Sequence, residues 1–87
     1  MTVKLVFLGK LADLAGAAES EFTDTSGETD WADLLAWLHD WGSEELADAV
    51  TDSRVRVAQN GLVLADKTSL VVKDGDEIAL LPPVSGG

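Results

Sequence analysis

The residues of this 87-residue chain best placed for covalent chemistry stand at its C-terminus, which reads Pro82-Pro83-Val84-Ser85-Gly86-Gly87. Two prolines lack N–H donors, so they end a strand ladder. They also favour a stiff, extended polyproline II segment that carries the chain away from a sheet. Ser85, Gly86 and Gly87 continue it as a thin, flexible end. Glycine has no Cβ, so the last two residues can enter a slot too narrow for any other residue. A terminal carboxylate on Gly87 is an unhindered nucleophile, ionised at neutral pH because its reference pKa is about 3.3–3.7. It can attack the α-phosphate of ATP held by another enzyme and become an acyl-adenylate. That mixed anhydride accepts sulfur to give a thiocarboxylate, or an amine to give an amide. A diglycine alone fits a frayed terminus equally well; strand, Pro-Pro, spacer and diglycine in succession form the specific signal.

No other group in the chain competes with the tail. There is no cysteine, which excludes disulfides, cysteine-based zinc sites and a side-chain thiol nucleophile. His39 is the single histidine and falls on the helix face opposite a leucine stripe, a solvated position. Asp74 and Asp76 flank Gly75 without EF-hand spacing, which reads as a turn and not a calcium loop. Gly9 and Gly16 lack the pattern of a phosphate-binding loop, and the Asp and Glu pairs imply no cleft for acid–base work. The expectation is a chain with no catalytic residues, metal or bound cofactor of its own, on which ATP is used by a partner enzyme.

The formal net charge is −10, from 16 acidic and 6 basic residues. Such a chain is repelled by nucleic acid and by anionic membranes. It suits a protein partner with a basic docking surface, and the acids also form a solvated face. The start, Met1-Thr2-Val3-Lys4, has no signal peptide, since its apolar run is short and Lys10 follows closely. No stretch is long enough to span a bilayer. A cytoplasmic protein is expected, with one domain over residues 1–81 and a flexible tail over residues 82–87.

The elements that must hold the tail follow from periodicity. Val3–Leu8 reads as a strand with Val3, Leu5 and Phe7 facing the core and Lys4, Val6 and Leu8 facing water. A helical turn over Leu11–Ala15 ends at Gly16, and Ala18–Thr23 forms a second strand antiparallel to the first, with Phe22 opposite Glu19 and Glu21. Thr25-Ser26-Gly27 is a loop. The main helix covers Asp30–Trp41, capped by Thr29 or Asp30, with Trp31, Leu34, Leu35, Leu38 and Trp41 as its apolar stripe. Trp31 and Trp41 are expected in the core and Trp37 at the stripe's edge. Gly42 stops the helix, and Ser43 caps a shorter one through Val50. Arg54–Ala58 is a strand with Val55 and Val57 inward. Asn60-Gly61 is a tight turn leading to a short strand, Leu62–Leu64. Leu70–Val72 packs as a loop or bridge, and Asp74-Gly75-Asp76 turns into the last strand, Glu77–Leu81, with Ile78 and Leu80 inward.

This order gives an α+β fold, a mixed sheet with one main helix across one face. The simplest closure sets the first and last strands side by side and parallel. Leu8 and Leu81 then lie together on the wet face as a small apolar patch at the tail's root, a candidate docking surface.

The stretch from Lys73 to Gly87, with Asp74-Gly75-Asp76-Glu77 and Leu81-Pro82-Pro83-Val84-Ser85-Gly86-Gly87, closely resembles the C-terminus of the MoaD family, the small subunit of molybdopterin synthase. Val57-Ala58-Gln59-Asn60 resembles the family's preceding strand and turn, and Phe7 through Gly16 its N-terminal strand and first turn; the middle matches in pattern only. The resemblance implies a ubiquitin-like β-grasp fold and a cycle. A MoeB-like, ubiquitin-activating-type enzyme adenylates Gly87, and a sulfurtransferase converts it to a thiocarboxylate. The tail (Pro82, Pro83, Val84, Ser85 and Gly86) then inserts into a MoaE-like large subunit and delivers sulfur to a cyclic pterin precursor. It also implies that apolar residues near the tail base dock the partners, at positions matched here by Leu8, Val63 and Leu81. The family often carries aromatic residues where this chain has Leu80-Leu81. Relatives with the same ending include carriers for thiamine synthesis or tRNA thiolation, and an archaeal-type modifier that joins its diglycine to lysines of target proteins.

Overall fold

The computed structural model describes residues 2–23 and 28–83. The alternation in the first segment becomes strand β1 (Thr2–Phe7), with Val3, Leu5 and Phe7 buried. A short helix α1 (Lys10–Ala15) leads to β2 (Glu19–Thr23), which pairs antiparallel with β1 and buries Phe22. The expected loop at Thr25-Ser26-Gly27 lies outside the described residues.

Helix α2 (Trp31–Trp41) starts where the Asp30 carboxylate accepts a hydrogen bond from the Asp33 N–H at 2.9 Å. This satisfies one of the donors a helix start leaves free. Trp31, Leu34 and Leu38 bury the stripe. Helix α3 (Glu44–Thr51) is capped in the same way by Ser43, whose Oγ accepts from the Leu46 N–H at 3.0 Å. Strand β4 (Arg56–Gln59) enters a turn at Asn60 and Gly61, both at positive φ (52° and 85°), and β5 (Leu62–Val63) returns antiparallel. Backbone at positive φ in both turn residues is the geometry that Asn-Gly supports in a tight hairpin.

Two expectations are corrected. The third strand was expected to begin at Arg54, but Arg54 sits in a turn where its guanidinium and N–H both donate to the Asp52 carboxylate, and pairing starts at Arg56. The segment expected as a loop or bridge contains a strand, β6 (Val71–Lys73). It pairs antiparallel with β3 (Glu28–Asp30), giving a two-stranded ribbon just before α2.

Strand β7 (Glu77–Leu81) closes the main sheet in the order β2-β1-β7-β4-β5. It is parallel to β1 and antiparallel to β4. Ile78 and Leu80 join Val3, Leu5, Phe7 and Val57 beneath the helices, all essentially inaccessible. Burying each such side chain stabilises the fold by about 1.5–3 kcal/mol before chain entropy is counted. Trp41, expected in the core, is 39% exposed. It is the last residue of α2 and overhangs the packed face, stacking on Phe7 and Trp37 at centroid distances of 5.6 and 4.9 Å. Trp37, half-buried as its edge position implied, also meets Phe22 edge-on at 5.2 Å.

Lys67 holds the far side of this core together. Its ammonium donates to the carbonyl oxygens of Val50 (3.0 Å), Asp52 and Val55 (2.9 Å), closing the C-terminal end of α3, and lies 5.8 Å from the Trp31 ring centre. Burial lowers the Lys67 pKa from the usual lysine value.

Candidate functional site

The root of the tail is built from the ends of β1 and β7. Their parallel register places Val6 beside Ala79 and Phe7 beside Leu80, and the Leu8 N–H donates to the Leu80 carbonyl at 3.3 Å. One step further, Leu8 stands next to Leu81. Because Phe7 and Leu80 face the helices, Leu8 and Leu81 face the other way. Leu8 is 41% exposed, and Leu81 is half-buried.

The same face continues across the sheet. Ala79 is opposite Ala58, and Ala58 is opposite Val63, so Val6, Ala79, Ala58 and Val63 form one row. Val63 closes it on the edge strand and is 56% exposed. The three residues singled out in the sequence, Leu8, Val63 and Leu81, are therefore brought onto one side of the sheet, away from the helices. Arg56, the register partner of Leu81, lies on this side as well.

Beyond Leu81 the pairing stops. Pro82 and Pro83 are half-buried and outside any strand. The Pro82 ring packs against Gly9, which has φ of 55° and leads directly into α1. Val84, Ser85, Gly86 and Gly87 lie outside the described residues. Gly9 had been weighed only as part of a phosphate loop. A glycine between the end of one strand and the start of a helix is a local signal for an unusual backbone angle, but its neighbour Pro82 is distant in sequence.

The opposite end of β7 is fixed by polar contacts. The Asp76 carboxylate accepts from Gln59 Nε2 (3.0 Å), Asn60 Nδ2 (2.9 Å) and the Lys73 N–H (2.9 Å). Asn60 Oδ1 in turn accepts from the Glu77 N–H at 2.9 Å. The Asn60 hydrogen bond first, then that of the Lys73 backbone, hold the Asp76 carboxyl below the usual carboxylate range. The strand that leads into the tail is thus locked in register at its start and released at its end.

The end of the sheet far from the tail is acidic. An open depression of about 700 Å³ is lined by Thr2, Lys4, Glu19, Glu21, Asp74 and Asp76, at the end of the sheet far from Pro82. Lys4 pairs there with Glu19 at 3.5 Å. The Arg54 hydrogen bonds bring the Asp52 carboxyl down to about 2. Among the described residues no group of three His, Cys, Asp or Glu side chains could hold a metal ion, and no helix is long and apolar enough to cross a membrane. His39 is exposed, 3.4 Å from Asp40.

Known proteins share this arrangement. The family model described as the ThiS family matches residues 5–87. A molybdopterin synthase sulfur carrier subunit from Chlamydomonas reinhardtii is 32% identical, with 100% of both chains covered. SAMP1 from Haloferax volcanii has a crystal structure that superposes with a TM-score of 0.77 at 27% identity, covering 100% of both chains. In a complex of subunits 1 and 2 of the molybdopterin-converting factor from Helicobacter pylori, one chain superposes at 0.63 with 28% identity, again over 100% of both chains. The sheet order, the parallel pairing of first and last strands and these matches agree: the chain belongs to the ThiS family, in the MoaD-containing group of ubiquitin-like β-grasp sulfur carriers.

Proposed function

We propose that this chain is the sulfur-carrier subunit of a molybdopterin synthase and that Gly87 is the residue loaded. The observation that carries the reading is the construction of the tail's root. Strand β7 is pinned at Glu77 by the Asp76 and Asn60 hydrogen bonds, and it ends at Leu81 beside an exposed apolar face. A body of this kind offers a partner an apolar surface at the place where Pro82 and Pro83 leave the sheet. The match to the ThiS family runs through Gly87.

In the proposed cycle the Gly87 carboxylate attacks the α-phosphorus of ATP on a MoeB-like adenylating enzyme, and pyrophosphate leaves. Sulfide-level sulfur supplied by a sulfurtransferase then attacks the acyl carbon, AMP leaves, and a thiocarboxylate remains. Leu8, Val63 and Leu81 dock the carrier on a MoaE-like large subunit, and Pro82 through Gly86 enter it. A protein–protein complex is known for subunits 1 and 2 of the molybdopterin-converting factor from Helicobacter pylori, which supports a large-subunit partner. The large subunit supplies the catalysis on the pterin precursor, and this chain binds no cofactor itself. We place the cycle in the cytoplasm, where ATP is available.

A second reading, conjugation of the diglycine to lysines of target proteins, is favoured by the likeness to SAMP1, the small archaeal modifier protein 1. Both readings share the adenylation step and part at the acceptor. Incubation with ATP, a MoeB-like enzyme and labelled pyrophosphate tests the shared step. Exchange is expected with the full chain and absent after deletion of Gly87. Exchange that survives the deletion would remove Gly87 from the mechanism. Diglycine remnants on lysines of other cellular proteins, with no sulfur on the carrier, would select the second reading.

A further inference from the structure

We infer that Gly9 is a positioning residue for the tail: the space left by its missing side chain seats the Pro82 ring, and this seat sets the direction in which the chain leaves β7. The inference rests on the carrier reading above and adds to it a residue in the loop between β1 and α1.

Strands β1 and β7 run out together. The Leu8 N–H bond to the Leu80 carbonyl is the tie at their shared end, and past Leu8 and Leu81 the chain continues with Gly9 and Pro82. Proline has no N–H, so Pro82 cannot donate the next ladder hydrogen bond to β1. Packing takes its place. A Cβ on Gly9 would stand 3.0 Å from Pro82 Cγ and 3.9 Å from its Cβ. The first distance is well inside the usual carbon–carbon contact of about 3.5–4.0 Å.

Two properties make this contact directional. The Pro82 ring is part of the backbone and cannot swing aside like a flexible side chain, so pressure on it moves the main chain. Gly9 is itself fixed, because its carbonyl accepts the Ala12 N–H at 3.1 Å and begins α1. Its φ of 55° and ψ of −131° suit glycine and not residues with a side chain. Pro83 follows directly, and two successive prolines pass on the direction they are given. A carboxylate that must reach a phosphorus atom inside another enzyme is sensitive to that direction, since a misplacement of about 1 Å can cost on the order of 100-fold in rate.

The test separates contact from backbone strain. Gly16 stands at the other end of α1 in the left-handed helical region, with φ of 74° and open space where a Cβ would go, so Gly16→Ala carries a milder strain without touching the tail. The Gly9→Ala, Pro82→Ala double variant keeps the full Gly9 strain while removing the contact. In the full chain, NMR is expected to show proximity between the Gly9 α protons and the Pro82 ring protons, and its absence overturns the inference. With a MoeB-like enzyme and ATP, Gly9→Ala is expected to lower kcat for adenylation by about 10- to 100-fold with KM little changed. Gly16→Ala should stay near wild type, and Gly9→Ala with Pro82→Ala should recover part of the loss. Pro82→Ala alone keeps Gly9 unstrained and should still lower kcat, which preserves the test if Gly9→Ala does not fold. Equal effects of Gly9→Ala and Gly16→Ala, or a wild-type kcat for Pro82→Ala, would overturn the positioning role. A wild-type chain that is not adenylated would count against the carrier reading, and the proton proximity then decides the seat.

Discussion

Truncating Leu8 and Val63 together to alanine should weaken binding to a MoaE-like large subunit by about 10- to 100-fold. Full burial of a Leu or Val side chain is worth about 1.5–3 kcal/mol. Leu8 is 41% exposed and Val63 56% exposed, so docking can bury about that fraction of each and gain about 0.6–1.2 and about 0.8–1.7 kcal/mol. The two together give about 1.5–3 kcal/mol, and about 1.4 kcal/mol is a factor of ten in Kd. Leu62 provides the control. It is 74% exposed, more than either, but its register partner Gln59 lies in the row of Ile78 and Leu5, which face the helices. Isothermal titration calorimetry on the two variants, with urea unfolding to confirm that each remains folded, reads the effect. A loss below about twofold in the double variant, or an equal loss for Leu62→Ala, would refute the assignment of the docking face, because area alone would then explain the result.

Further outcomes follow from the polar contacts. Asp76→Asn should cost about 1–3 kcal/mol at pH 7, since the carboxylate accepts three hydrogen bonds at one end of β7. The folded Asp76 pKa is lowered from 3.8, so its contribution is fully present above that value and lost as pH falls below it. The gap between wild type and Asp76→Asn in urea unfolding should therefore narrow below about pH 4; a constant gap down to about pH 2 would contradict this. Lys67→Met removes one hydrogen bond from each of three carbonyls, of which Asp52 keeps the Val55 N–H, and should cost about 2–4 kcal/mol by the same assay, with a cost below about 0.5 kcal/mol excluding the helix-closing role. Gly42→Ala places a Cβ 2.7 Å from Leu46 Cδ2 and 3.0 Å from the Leu38 carbonyl oxygen. Overpacking there should cost about 1–3 kcal/mol, and an unchanged thermal midpoint would show that Leu46 yields freely.

Much of the frame was legible because β1, β2 and β7 each have one wet face and one dry face. Lys4, Glu19, Glu21 and Glu77 mark the wet side, and that marking placed Leu8 and Leu81 together before any pairing was known. The Asn60-Gly61 turn and the caps at Asp30 and Ser43 are local and read directly from residue type. The β3–β6 ribbon was not legible. Glu28-Thr29-Asp30 has no apolar alternation, and its ladder to Val71-Val72-Lys73 joins segments far apart in the chain.

Trp41 misled for a different reason. Periodicity gives the angle around a helix and not where the helix overruns its support, so a residue on the stripe ended up 39% exposed. Nothing in the sequence pattern singles out Lys67, because its three carbonyl partners come from the end of α3 and the turn after it. At the candidate site the placement of Leu8 and Leu81 on one side followed from strand faces, and Val63 came from the family resemblance. Gly9 did not, because its meaning depends on Pro82, which only the parallel pairing of β1 with β7 brings alongside.

The central claim is that the Gly87 carboxyl carries sulfur. Intact-mass analysis of the chain isolated from its native cells, with fragmentation to place the change, tests it most directly. The account predicts a population heavier by the exchange of one oxygen for one sulfur, located on Gly87, and absent from a chain lacking that residue. Cells that make molybdenum cofactor yet yield only unmodified chain, or sulfur located on any other residue, would contradict it.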